Sequence, residues 1–165
     1  MNNCKPFYFK DDGTIPNSHL PVIMYSEVTN DVANADWFEK RFRQNNWTNN
    51  WRDIMLSYDH FHSNTHEVLA VAYGNVTLQI GGSKGQVIEL SAGNVLIIPA
   101  GVGHCAISTQ TNYQVVGGYP NGGSWDLFTG TADERKQALE NISKVSIPTT
   151  DPIFGSTGIL VELWK

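Results

Sequence analysis

The rhythm of apolar and polar positions changes twice along this chain. Before about residue 35, one apolar run, Val22-Ile23-Met24-Tyr25, follows the turn signals Asp12-Gly13 and Ile15-Pro16-Asn17. It predicts a strand or an edge segment. From Asp36 to Trp47, Phe38 and Phe42 stand four apart behind a capping Asp36, which predicts a short helix. From Arg52 to Tyr119 the texture becomes short β-type runs broken by Gly, Asn and Ser. Strands are expected at about 53–62, 67–73, 75–81, 86–90, 94–98, 104–109 and 113–119. Thr131 to Lys144 predicts a second helix, with Leu139 and Ile142 on its apolar side. A last apolar run, Ile159 to Trp164, is expected to pack on the strands or on a partner subunit. Many short strands with turns between them predict an all-β sandwich or barrel with short flanking helices.

Composition narrows this picture. A chain of 165 residues, 41% hydrophobic and 16% charged, suits one globular domain with its own core. The net charge of −5 and the lack of clustered Lys and Arg argue against a nucleic-acid surface. No apolar run approaches the roughly 18 residues of a membrane span, and the N-terminus carries no signal-like apolar segment. Two cysteines, Cys4 and Cys105, make no disulfide framework. A cytoplasmic protein that touches neither membrane nor nucleic acid is expected.

Histidine placement brings in the chemistry. Four of the five histidines, His60, His62, His66 and His104, fall between residues 60 and 104, and His19 stands apart. A lone histidine is ordinarily a core or surface residue. His60 and His62, two apart on an expected strand, point the same way. Burying two imidazoles on one face costs energy unless something binds them, and a divalent metal is the usual partner. Strand parity alone brings His66 to that face and turns Glu67 away, unless the turn-prone Ser63-Asn64-Thr65 breaks the strand.

Two motifs surround these residues. The first is His60-x-His62, four residues, Glu67, six residues, Gly74; the second is Gly93, five residues, Pro99-x-Gly101, two residues, His104. Eighteen residues, 75–92, separate them. In residue type, spacing and order the pair resembles the two signature motifs of the cupin superfamily. The runs HFHSNTHEVLAVAYG, LIIPAGVGH, VVGGYPNGGSWD (115–126) and PTTDPIFG (148–155), with DDGTIPNSHLPV (11–22), also resemble the YjlB-like group of small bacterial cupins. That resemblance covers nearly the whole chain. It implies a double-stranded β-helix, the jelly-roll cupin barrel, as a single domain over 1–165. The barrel core would lie at about 52–119, with an N-terminal extension (1–51) and a C-terminal helix and tail (120–165). It implies His60, His62, Glu67 and His104 as ligands of one divalent transition metal, Fe, Mn, Ni or Zn, and so favours the break at 63–65. Ser108 stands where the second motif often ends in Asn, a departure that bears on pocket polarity and not on metal binding.

Parity extended backwards from His60 brings Arg52, Ile54, Leu56 and Tyr58 inwards. Arg52 either receives a substrate carboxylate through its fork or is a solvated surface charge. Tyr58 is either a general acid or a packed ring. Leu69, Val71 and Tyr73 share the face of Glu67, and Leu96 with Ile98, or Val95 with Ile97, add to an apolar wall. The aromatic set Trp37, Phe38, Phe42, Trp47 and Trp51 reads as packing. Trp125, after Gly122-Gly123, is a loop residue or a lid. The candidate catalytic residues are His66 and Tyr58.

These features predict a metal-dependent enzyme acting on a small organic molecule, for which the cupin resemblance implies an oxidoreductase of dioxygenase type, an isomerase or a lyase. The alternative is a non-catalytic metal- or ligand-binding or sensing protein. The open edges of a small β-structure need cover, so a homodimer is expected.

Overall fold

A computed structural model describes residues 3–28, 34–107 and 111–165. The elements run β1 (Cys4–Phe9), β2 (Ser18–Tyr25), α1 (Ala35–Gln44), β3 (Trp47–Asp53), β4 (Glu67–Tyr73), β5 (Asn75–Ile80) and β6 (Gln86–Ser91). They continue with β7 (Val95–Ile98), β8 (His104–Ala106), β9 (Gln114–Pro120), α2 (Ala132–Ile142) and α3 (Ile159–Leu163). The strands form two antiparallel sheets, one six-stranded in the order β1-β2-β7-β4-β9-β3, the other three-stranded in the order β6-β5-β8.

Strands β4 and β7 of the six-stranded sheet are buried on both faces, which explains why they read as unbroken apolar runs instead of alternating. One face, with Val22, Leu69, Val71, Leu96 and Ile98, packs against Val76, Leu78, Ile80 and Leu90 of the smaller sheet. The other, with Ile23, Val68, Ala70, Val95 and Ile97, is covered by Phe38 and Phe42 of α1 and by Trp47, Ile153, Leu160 and Trp164. Register follows this division: Glu67 pairs with Ile98 and Leu69 with Leu96, so the residues that share an inward face lie opposite one another. Gly74 turns β4 into β5 at φ +74°, and a side chain there would strike Asn112 and Tyr113.

Several elements depart from expectation. The helix over 36–47 stops at Gln44. It is capped by Asn34, which accepts from Trp37 N, and not by Asp36. Asn45 and the left-handed Asn46 (φ +62°) end it. Trp47 therefore opens β3, its indole N–H donating to Thr150 O at 2.8 Å. The strand expected over 53–62 does not form. The extended pairing ends at Asp53, and the chain then crosses with isolated bridges at His60 and Phe61 only. Ser57 and Asp59 lie in this stretch, and its polar turn residues compete with a ladder. The first strand, β1, comes from the N-terminus, where no element was expected. Ser108 and the end of the strand expected over 104–109 lie outside the described residues. Cys4 and Cys105 are free thiols. Among the described residues no helix is long and apolar enough to cross a membrane.

The tail is tied down by a buried polar lock. Asp151, fully buried, accepts from Tyr25 Oη (2.5 Å), Ile153 N (2.8 Å) and Phe154 N (3.0 Å). The run 159–164 is helical over α3, and Trp164 beyond it sits on the sheet, donating to Pro21 O at 2.9 Å. Trp164→Ala should therefore lower the unfolding free energy by about 3–5 kcal/mol, as read by urea denaturation. A loss below about 1 kcal/mol would contradict this account of the tail.

Candidate metal centre

Three separate parts of the chain deliver the site. Glu67 opens β4 of the larger sheet, and His104 opens β8 of the smaller one. Between them runs a short arm, 60–62, hydrogen-bonded on both sides. His60 and His104 exchange backbone bonds (3.3 and 2.9 Å), as do Phe61 and Phe128 (2.9 and 3.0 Å), and Gly101 N donates to His62 O (2.8 Å). The arm is locally extended, so its side chains alternate. Phe61 packs outward in a cluster with Ile15 and Ala138, while His60 and His62 point inward.

A nitrogen from each of His60, His62 and His104 lies within 4.8 Å of the others. Each ring is held through Nδ1 by a backbone carbonyl: Tyr58 O for His60 (3.0 Å), Asp126 O for His62, and Val102 O for His104 (3.1 Å). A carbonyl can only accept, so each Nδ1 carries the hydrogen and each Nε2 turns a lone pair towards the shared centre. Glu67 joins them, its Oε2 lying 3.4 Å from His62 Nε2 and 3.2 Å from His104 Nε2. Among the described residues, Glu67 Oε2 and His104 Nε2 are both buried with no hydrogen-bond partner.

The electrostatics describe a place that favours a cation. Burial alone would raise the Glu67 carboxyl, yet His62 and His104 hold it well below the usual range. Burial disfavours charge on His62, but Glu67 and Asp126 carry its pKa above the ordinary value. Burial, and then His104, push His60 down to about 4, leaving it neutral at physiological pH. Orphaned buried donors of this kind fit a divalent ion. Three imidazole nitrogens and one carboxylate suit Fe, Mn, Ni or Zn and suit Ca poorly.

A further layer holds these groups in place. Tyr119 Oη donates to Glu67 Oε1 (3.0 Å) and accepts from Trp51 Nε1 (2.9 Å). The Trp51 ring lies flat on β9, where any side chain at Gly117 would collide with it. The Asp126 carboxylate accepts from Ser63 N (2.6 Å) and the Ser63 hydroxyl, while Asp126 N donates to Asn64 Oδ1 (3.1 Å). This clamp makes the break at 63–65 that turns Glu67 inward. No periodicity marked Tyr119, Trp51, Gly117 or Asp126 for these tasks. Only the run 115–126 hinted that the segment mattered.

The break sends His66 the other way. Its Nδ1 accepts from Ala100 N (3.0 Å), its ring stacks 4.6 Å from that of Trp164, and burial lowers its pKa to about 4. Tyr58 is 48% exposed with its ring 5.7 Å from that of His60, and it is absent from the cavity wall. Neither catalytic candidate reaches the cavity; Tyr58 serves through its carbonyl. The cavity, about 330 Å³, has the four converging residues at its floor, and Arg52, Ile54, Leu56 and Trp125 line it. Leu69, Val71, Leu96 and Ile98 instead fill the space between the sheets, and Tyr73 is exposed at its strand end.

The family described as Cupin domain matches residues 56–116. The uncharacterized protein YjlB of Bacillus subtilis (strain 168) is 38% identical over 159 residues, covering 96% of this chain and 94% of its own. Among solved structures, QdtA, a sugar 3,4-ketoisomerase from Thermoanaerobacterium thermosaccharolyticum in complex with TDP, is similar at a TM-score of 0.45. Its identity is 17%, over 57% of this chain and 74% of that one. Acireductone dioxygenase from Bacillus anthracis, with a cadmium ion in its active centre, is similar at a TM-score of 0.43 and 15% identity, over 63% and 80% of the two chains.

Tyr119→Phe deletes the hydroxyl that holds Glu67, so affinity for Co(II) or Zn(II) should fall by about 10–100-fold without loss of fold by circular dichroism. Gly117→Ala, which dislodges Trp51, should act in the same direction. Unchanged affinity in the Tyr119 variant would show that this chain of hydrogen bonds does not position the carboxylate.

Proposed function

This chain belongs to the cupin family, and we propose that it is a metal-dependent enzyme acting on a small organic molecule, with one divalent transition metal held by His60, His62, Glu67 and His104. In this reading the two sheets close as the jelly-roll barrel of a single domain over 1–165. The observation that carries the proposal is the convergence of three Nε2 lone pairs and a carboxylate at the floor of an open cavity. A bound ion would supply Lewis acidity or, as Fe(II), a centre for O2 chemistry.

The chain's own residues have separable tasks. Backbone carbonyls of Tyr58, Val102 and Asp126 keep the proton on each Nδ1. Tyr119 keeps its proton on Oη, since burial and then Glu67 raise its pKa, and so fixes one carboxylate oxygen. Leu56, Leu127 and Trp125 give the cavity apolar wall above the floor. Both histidine-bearing segments thus face whatever enters the cavity.

Elemental mass spectrometry, on protein purified without chelators or a metal-affinity tag, tests the centre. About one equivalent of metal is expected in the wild type and little in His60→Ala. No metal in either, even after reconstitution, would sink the proposal. Turnover separates an enzyme from a storage or sensing protein: O2 uptake by the Fe(II) form, or conversion of a bound substrate by another metal form, is expected. Saturable ligand binding without conversion under any metal would favour the non-catalytic role.

The proposal extends to a homodimer. Strands β1 and β3 are the edges of the larger sheet, and uncovered edges invite pairing. Light scattering should give twice the chain mass; a monomer at micromolar concentration would refute the pairing.

A further inference from the structure

We propose that the cavity selects a largely apolar ligand that presents a single chelating oxygen head to the floor and carries no second charge, and that Trp125 is the residue that selects its body. This rests on the metal-centre reading above and adds to it the class of molecule that the site accepts.

The walls set the polarity. Above the floor Trp51, Ile54, Met55, Leu56, Trp125 and Leu127 make most of the wall, with Asn49, Asn50, Arg52 and Asp53 beside them. Ile54 (43% exposed), Leu56 (39%) and Trp125 (48%) form an apolar rim facing solvent. Large apolar side chains left open around a concave site mark a place that an apolar partner covers. At about 330 Å³ the space is at the small end of the range for small-molecule pockets, about 300–1,000 Å³.

Charge argues the same way. Among the described residues, Arg52 is the only Lys or Arg lining the cavity. Its Nε is 2.8 Å from Glu39 and one terminal nitrogen is 2.6 Å from Asp36. Its charge is thus already offset by two carboxylates before any ligand enters. Asp53 adds another acidic group at the mouth. A divalent ion with Glu67 would leave one net positive charge at the floor, matched by one anionic head. A second anionic group further out would meet Asp53, and an Arg52 whose charge is already offset by Asp36 and Glu39, which disfavours phosphorylated or dicarboxylate ligands.

Trp125 is placed for selection by the clamp that also shapes the metal site. Its neighbour Asp126 is bound to Ser63 and Asn64, which puts the indole 5.5 Å from the His62 ring at the cavity edge. A ligand body leaving the floor therefore passes against this ring.

The test uses the metal-loaded full chain, with metal content measured on the same samples, and three chelating probes read by titration calorimetry. These are acetohydroxamate, hexanohydroxamate and adipic acid monohydroxamate, which has the same six carbons but ends in a carboxylate. Each buried methylene is worth about fourfold in affinity. Hexanohydroxamate should therefore bind at least about tenfold tighter than acetohydroxamate, and the carboxylate-ended probe about tenfold weaker than hexanohydroxamate. In Trp125→Ala most of the gain from acetohydroxamate to hexanohydroxamate should disappear, with metal content reporting whether the fold is kept. A carboxylate-ended probe that binds as tightly as hexanohydroxamate would overturn the proposal, as would acetohydroxamate binding that gains nothing from the tail. Either result leaves the metal centre standing. Protein that takes up no metal and binds none of the probes would remove the metal centre itself, and this inference with it.

Discussion

Three imidazoles and a carboxylate share one small buried volume, and the structure around them works to keep that arrangement from relaxing. Such groups would ordinarily turn to water or to each other's protons. Here each ring is held by a carbonyl on its far nitrogen, and the carboxylate by Tyr119 on its far oxygen. What remains at the centre is a set of lone pairs with buried atoms that no described residue satisfies. Burial and His104 lower the pKa of His60, while Glu67 and Asp126 raise that of His62 against its burial. A divalent ion would satisfy the lone pairs.

The same constraint joins the two sheets at one end. Glu67 leaves the larger sheet and His104 the smaller, and the arm 60–62 is laced to both sides of the gap. The apolar core between the sheets provides the rigidity that the polar end needs, since β4 and β7 are immobilised by burial on both faces. The C-terminal tail contributes at a distance. Trp164 packs on His66, and His66 accepts from Ala100. The residue next to Glu67 is thereby anchored on the opposite side of the chain.

Loop 123–128 has two tasks that depend on each other. Through Asp126 it orients His62 and closes the turn that directs Glu67 inward. Through Trp125 it forms one wall of the cavity. A change in this loop would therefore reach both the centre and whatever enters it, although no residue of the loop is itself a proposed ligand.

Much of the site was legible in the sequence because its information is local. A period of two placed His60 and His62 on one face, and fixed spacings named Glu67, Gly74 and His104. Apolar runs located most strands between 67 and 119 because burial on both faces leaves a continuous signal. Local pattern was insufficient wherever the partner lies far along the chain. His66 and Glu67 have opposite parity, and the choice between them was made by Asp126, 63 residues from Ser63. Tyr119 reaches Glu67 across 52 residues, and Trp51 reaches Tyr119 across 68. Parity left Arg52 as a surface charge or an anion receptor, with the surface charge favoured, and only the folded chain shows that it pairs with Asp36 and Glu39. The sequence by itself determined which side chains could bind a metal and that an all-β scaffold would carry them. Tertiary structure alone decided which of them face inward, what holds them and what lines the cavity, because those outcomes depend on hydrogen bonds and packing between segments that meet only after folding.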